Sequence, residues 1–323
     1  MLLALPFVIL SAVLAVQANL AHVAHAPAHR HARISIPRAP LQSPNLRRRK
    51  SCVAPTKAST TSHTTTSHTT TSTKKTTSTT STKKTTAAAA PTAVTLATTS
   101  GGTISVSDSA CGSNGATTSI TKTTGPNGAI GWLNCGLTWS GGWNPPYITI
   151  DQIKSKDLSS AVTESGTPFT ACNAYVSLFE QYANQYGLPA IMLASFAMQE
   201  SSCNPNTVGG AGEQGLMQLT SDKCGNAPGG NCKDVNYNIA TGAAYIASTL
   251  KDNNGDLLLT IGGYNGWYKG MTKADATAAA YTSCCRCQNN LDYLFQFLNG
   301  WMQNVNAYSL GLGEYFNLNV CSD

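Results

Sequence analysis

The chain has 323 residues and a formal net charge of +6, with only 11% charged residues against roughly a quarter in an average soluble protein. The charge is unevenly placed: residues 1–100 hold 12 of the 21 Lys/Arg, all six His and no acid, while residues 101–323 hold the other nine Lys/Arg and all 15 Asp/Glu, a net of −6. A rear without histidine excludes a Ser–His–Asp triad, a Cys–His dyad, a His-ligated zinc and an H-E-x-x-H protease, and it contains no G-x-x-x-x-G-K-[ST] phosphate loop.

Residues 1–18 read as a signal peptide, because the apolar run LLALPFVILSAVLAV is shorter than a bilayer span and ends in small residues suited to cleavage. Residues 19–50 are His/Ala/Pro/Arg-rich and end in Arg47-Arg48-Arg49-Lys50, the pattern of a pro-segment with a basic processing site. Residues 51–100 read as a disordered, O-glycosylated stalk. Within them, 56–86 contain 23 Ser/Thr among 31 residues and have no apolar surface to offset the entropy of ordering. The positive charge therefore sits in low-complexity sequence, which argues against nucleic-acid binding. The predicted address is secreted, with no membrane association after signal cleavage, and the expected state is a monomer.

Ten of the eleven cysteines lie in the rear, an even number in an oxidising compartment, so up to five disulfides are expected. Cys224 and Cys232 bracket a Gly/Pro/Asn turn and form the natural local pair. The cluster Cys284-Cys285-Arg286-Cys287 is expected to bond to distant cysteines, with a zinc site as the alternative.

Residues 101–170 are rich in Gly, Ser, Thr and Asn and read as a loop-rich ordered extension. Trp132, Trp139 and Trp143 in it are read as pins onto the main domain, or as a carbohydrate-contacting patch. Residues 171–323 read as the main domain. From Thr170 the steps Ala174, Leu178, Tyr182, Tyr186 follow helical spacing, and Gly187 ends that helix. Leu188-Pro189 opens a second helix whose AIMLASFAM run is apolar all round, which predicts burial. Further helices are expected over 237–251, 256–265, 273–281 and 289–306, with a loop-rich stretch over 202–236. The fold class predicted is mainly α (α+β), stabilised by disulfides.

The buried helix runs directly into Glu200. A carboxyl poised between an apolar interior and a loop has its charged form disfavoured, and a protonated carboxyl is what a glycosidase needs to protonate a leaving glycosidic oxygen. The stretch Glu200-Ser201-Ser202-Cys203-Asn204-Pro205 through Gly215-Leu216-Met217-Gln218, with Asn238-Ile239, Gly242, Tyr245 and Tyr264-Asn265-Gly266, resembles the lytic transglycosylase (SLT) and goose-type lysozyme-like domains of glycoside hydrolase family 23. The resemblance covers about residues 172–268.

That resemblance implies a lysozyme-like catalytic domain acting on the β-1,4 glycosidic bonds of peptidoglycan, or of chitin, which shares its N-acetylglucosamine backbone. A non-catalytic wall-binding protein is the remaining alternative. Glu200 would be the general acid and later base. Ser201 and Gln218 would bond near the reacting sugar, Tyr264 would orient Glu200, and Tyr245 and Asn265 would line the site. Trp267 departs from the motif and either stacks on a sugar or fills the core. Cys203 replaces the usual aromatic and is expected in a disulfide. Glu213 stands thirteen residues after Glu200, where goose-type lysozymes carry an acid, and becomes the candidate for activating water, with Asp222 and Asp234 behind it. Transglycosylases need one carboxyl, because the substrate's own 6-hydroxyl closes an anhydro ring. An inverting hydrolase needs two. No cofactor or metal is implied. The signal, pro-segment and stalk point to a fungal source.

Overall fold

The computed structural model describes residues 101–106 and 110–321, together with the backbone of the two-residue strand β1 (Ala97–Thr98), which pairs antiparallel with β2 (Ser119–Ile120). The predicted signal peptide, pro-segment and most of the stalk lie outside the described residues. All described residues belong to one compact unit. The architecture is helical, as the sequence predicts. Its longer elements are α3 (Val176–Tyr186), α4 (Ala190–Ser201), α5 (Val235–Asp252), α6 (Leu257–Tyr264) and α8 (Tyr293–Asn299), with one-turn helices α1 (Ile130–Leu133), α2 (Leu158–Ala161) and α7 (Lys273–Ala276).

Helix α4 is the centre of the molecule. Residues 191–201 are all buried, and α4 packs on α3, α8, α2 and the 301–303 turn. Pro189 supplies the entry with a φ of −65°, near the value its ring imposes. Gly187 ends α3 in the left-handed conformation, at φ 65°. The helical pattern that opens near Thr170 begins as a 3-10 segment, Pro168–Tyr175, capped by the Thr167 hydroxyl, and becomes α-helical at Val176. Helices α5 and α6 begin at Asp234 and Asp256, whose carboxylates accept the backbone N–H groups of Tyr237 and Leu259.

Two predicted helices are shorter than their patterns. The 273–281 segment forms only the single turn of α7, held by a Thr272/Asp275 capping box. Beyond it the alanines offer no broad apolar stripe, and a short helix without packing does not sustain itself. The 289–306 segment is cut at Gly300 (φ −102°, ψ −89°). A Cβ on Gly300 would lie 2.4 Å from the Gln296 carbonyl and 2.6 Å from the Ala307 Cβ, so the chain turns here through a space only glycine fits.

The 101–170 extension is part of the same core. Ile104, Ile120, Trp132 and Trp143 belong to one hydrophobic cluster with Phe196, Tyr264 and Phe297. Trp143 is fully buried, donates its indole N–H to the Leu133 carbonyl (3.1 Å) and meets Trp267 edge-on with centroids 5.0 Å apart. Asn127 donates to the carbonyls of Lys154 and Leu298, and Asn299 reciprocates by accepting the Asn127 N–H and donating to Gly128. Trp132 and Trp143 are thus pins, as one of the two readings expects, whereas Trp139 is 69% exposed.

All ten rear cysteines are paired: Cys111–Cys135, Cys172–Cys203, Cys224–Cys232, Cys284–Cys287 and Cys285–Cys321. The Cys224–Cys232 and Cys203 expectations hold. The expectation that the 284–287 cluster bonds only to distant cysteines is corrected. Cys285 reaches Cys321, but Cys284 and Cys287 bond to each other, because the 3-10 turn over Cys285–Cys287 brings their Cα atoms to 5.3 Å.

Candidate active site

Glu200 sits in the last turn of α4 and is 3% exposed. The Tyr293 hydroxyl, from α8, donates to its Oε1 at 2.6 Å. Tyr293 is the functional neighbour that the sequence reading did not name. A tyrosine on an apolar helix 93 residues away carries no local signal, and only the packing of α8 on α4 reveals it.

The residue before Glu200 is held as firmly. The Gln199 side chain donates to Gln296 Oε1 (3.2 Å) and accepts the indole N–H of Trp301. Its carbonyl accepts the Tyr308 hydroxyl (3.1 Å). Burial pushes the Tyr308 phenol far above its ordinary range, and the nearby Glu200 charge adds to that shift, so Tyr308 stays a neutral donor.

After Glu200 the backbone turns sharply: Ser202 and Cys203 have φ of 53° and 57°. The turn is pinned by the Cys172–Cys203 bond and by the Cys203 N–H to the Ala197 carbonyl. Ser201 turns its hydroxyl inward, donating within bonding distance of the carbonyls of Ala197 (2.9 Å) and Leu216 (2.8 Å). Its observed role is to dock the following loop onto α4. The Tyr264 hydroxyl reaches the Met217 carbonyl (2.6 Å), and its ring packs on Phe196. Asn238 completes the clamp by accepting the Met217 N–H and donating to Gln214 and Cys232. These bonds bring the loop that carries Glu213 and Gln218 onto the end of the helix that carries Glu200.

Within that loop Glu213 is 3% exposed and accepts the Ala211 N–H on Oε2 (3.1 Å). Gln218 donates to the carbonyls of Gly215 and Thr207 and adopts a left-handed φ of 47°. Strain of that kind at a non-glycine residue marks a position over-determined by its surroundings. A Cβ on Gly209 would fall 2.2 Å from Glu213 Oε2 and 2.8 Å from Gln218 Oε1, so both side chains pack against the Gly209 backbone and only glycine leaves them room. The other two candidates serve different ends. Asp222 is exposed and paired with Lys223 at 3.0 Å, with the Thr220 hydroxyl and that lysine holding its carboxyl low. Asp234 caps α5.

Tyr245 packs edge-on against Tyr264, with the Lys223 ammonium 4.6 Å above its ring. Asn265 is fully buried. It accepts the Asn290 N–H and, through its carbonyl, the Asn289 side chain, while its own Nδ2 has no partner among the described residues. Trp267 is 3% exposed against Trp143, so of its two readings the structure shows the core one.

Residues 177–281 match the family described as "Transglycosylase SLT domain". The chain is 32% identical over 111 residues to "Transglycosylase" of Enterobacteria phage PRD1, covering 34% of this chain and 40% of that one. It is 38% identical over 72 residues to "Membrane-bound lytic murein transglycosylase F" of Marinobacter nauticus, covering 22% of this chain and 14% of the relative. The chain thus spans less than half the length of these relatives. Among solved structures, the 70-kDa soluble lytic transglycosylase in complex with bulgecin A aligns at 25% identity over 29% of this chain and 17% of that one, with a TM-score of 0.28. The soluble lytic transglycosylase SLT70 from Escherichia coli aligns at 19% identity over 46% and 26%, with a TM-score of 0.28. Glu200, Ser201, Glu213, Gln218, Tyr245, Tyr264, Asn265 and Trp267 all fall inside the matched 177–281 stretch, whereas Tyr293 and Tyr308 lie beyond it.

Proposed function

We propose that the protein is a glycosidase-type enzyme that cleaves the β-1,4 glycosidic bonds of peptidoglycan, with Glu200 as general acid and then base. The observation that carries this reading is the setting of Glu200, a carboxyl at the end of a buried helix within the stretch matching the transglycosylase SLT family, held by a tyrosine donor from beyond that stretch. A buried carboxyl retains its proton more readily than an exposed one, and the Tyr293 bond holds the carboxyl that delivers it in one orientation. The relatives' printed names, transglycosylase and lytic murein transglycosylase, support murein as the substrate.

After protonation of the leaving oxygen, the sugar develops oxocarbenium character and is trapped either by water or by its own hydroxyl. We favour hydrolysis. Glu213 is the one buried carboxyl among the three loop candidates, and it meets Gln218 beside Gly209. A buried carboxylate on the loop docked against the end of α4 suits withdrawal of a proton from an attacking water. The protein would work outside the cell, as its five disulfides require an oxidising compartment and its first 18 residues read as a signal.

The test is mass analysis of fragments released from purified peptidoglycan by the wild type and by Glu213→Gln. The reading predicts reducing-end products from the wild type and at least about a hundredfold slower release from Glu213→Gln. Anhydro ends with an unimpaired Glu213→Gln would overturn the hydrolytic step. No release by the wild type would overturn the function.

A further inference from the structure

Beyond the matched 177–281 stretch, residues 288–321 build a structure of their own beside Glu200. Asp292 is 1% exposed, and its carboxylate accepts three successive backbone N–H groups, those of Glu314 and Tyr315 on Oδ1 and that of Phe316 on Oδ2. Asn317 is tied to Gln288 and Asn289, and Cys321 is bonded to Cys285. The strap is therefore fixed along its length. It lines an open cavity of about 270 Å³ whose walls include Asn290, Asp292, Tyr308, Phe316, Leu318 and Asn319.

Three features of this cavity point to a ligand. First, Phe316 is 37% exposed on its wall and is held at a φ of 45°, a conformation a bulky residue adopts only under constraint. The Asp292 clamp supplies that constraint, so an exposed aromatic ring is kept in place where free choice would let it relax or bury. Second, a carboxylate has about four acceptor sites, and the backbone occupies three on Asp292. Third, the cavity lies next to the helix that carries Glu200. Tyr308 lines it while its hydroxyl bonds the carbonyl of Gln199, the residue next to Glu200.

We propose that this cavity is a subsite for a single N-acetylhexosamine residue of the glycan strand, with its apolar face on Phe316, a hydroxyl donating to Asp292 and its acetamido group near Asn319. An aromatic ring with a few convergent polar groups is the recognition chemistry of a ring that has one apolar face and an equatorial set of hydroxyls. The volume suits one sugar ring, since sites for larger ligands begin at about 300 Å³. The inference rests on the glycosidase reading and adds to it a binding element that the matched family stretch does not contain.

The experiment uses the full chain carrying Glu200→Gln, so that binding is read without turnover. Two probes are titrated calorimetrically: the β-1,4-linked N-acetylglucosamine tetramer, and soluble uncrosslinked peptidoglycan strands. Adding Phe316→Ala is expected to weaken binding about tenfold, and adding Asn319→Ala a few-fold, while Phe316→Tyr keeps the ring and restores affinity. Each variant's melting temperature shows that the strap remains folded. Unchanged affinity for both probes in the Phe316→Ala protein overturns the subsite and leaves the functional reading standing. If the parent Glu200→Gln protein binds neither probe and the wild type releases nothing from peptidoglycan, both fail together.

Discussion

Tyr293 and Asp292 are neighbours in sequence with opposite tasks. The Tyr293 hydroxyl donates to the Glu200 carboxyl, and a donor to a carboxylate favours its charged form. Tyr293→Phe is therefore expected to raise the Glu200 pKa, moving the alkaline limb of the pH–rate profile upward, and to lower kcat at least about tenfold. An unmoved profile would show that Tyr293 only packs. Asp292, besides lining the proposed sugar subsite, clamps the 314–316 backbone. Desolvation pushes its carboxyl above the ordinary value of 3.8, against the pull of its three backbone bonds. A carboxyl whose folded-state pKa is raised binds more protons in the native state, so its contribution is full below 3.8 and is lost as pH rises through the folded value. Asp292→Asn puts an amide donor against one of the three N–H groups and should cost about 1–3 kcal/mol. Denaturant unfolding of the two proteins should show their stability gap narrowing as pH rises through that window. A widening gap would contradict the assignment.

At the scale of elements, the end of α4 is the part of the fold most shaped by the site. The helix stops with two left-handed non-glycine residues, Ser202 and Cys203, and the disulfide to Cys172 holds the strained turn. Replacing both cysteines by serine opens a loop of 31 residues and should lower stability by about 2–4 kcal/mol. Calorimetry checks this, and an unchanged melting temperature would show that packing alone holds the turn. This region was largely legible in the sequence. An apolar run entered through Leu188-Pro189 and ending in Glu200 is a local pattern, and so is a cysteine pair bracketing a Gly/Pro turn. The hydrogen bonds of Ser201 and Tyr264 were not legible. Both residues stand where the motif puts them, and each donates its hydroxyl to a loop carbonyl, at Leu216 and Met217. Residue type and spacing locate a side chain without saying which partner takes its bond.

For the whole molecule, the boundary drawn at residue 170 marks a change of composition within one continuous core. Glycine- and asparagine-rich sequence reads as peripheral, yet Asn127 and Asn299 exchange four hydrogen bonds with backbone on both sides of that boundary. Trp143 closes the core behind Trp267. Pairing of this kind joins residues more than a hundred positions apart, and no local pattern encodes it. Trp143→Ala should therefore cost about 3–5 kcal/mol and lower a single cooperative unfolding transition. Two separate transitions would show the extension to be an independent unit.

In the function we propose, this core holds one carboxyl, Glu200, at the end of an apolar helix, where it transfers a proton to a glycosidic oxygen. The most direct measurement compares the wild type with Glu200→Gln on purified peptidoglycan, following release of soluble fragments alongside the melting temperature of each protein. The account predicts that Glu200→Gln keeps its fold and loses at least about a thousandfold in rate. Fragment release by Glu200→Gln at the wild-type rate would contradict it.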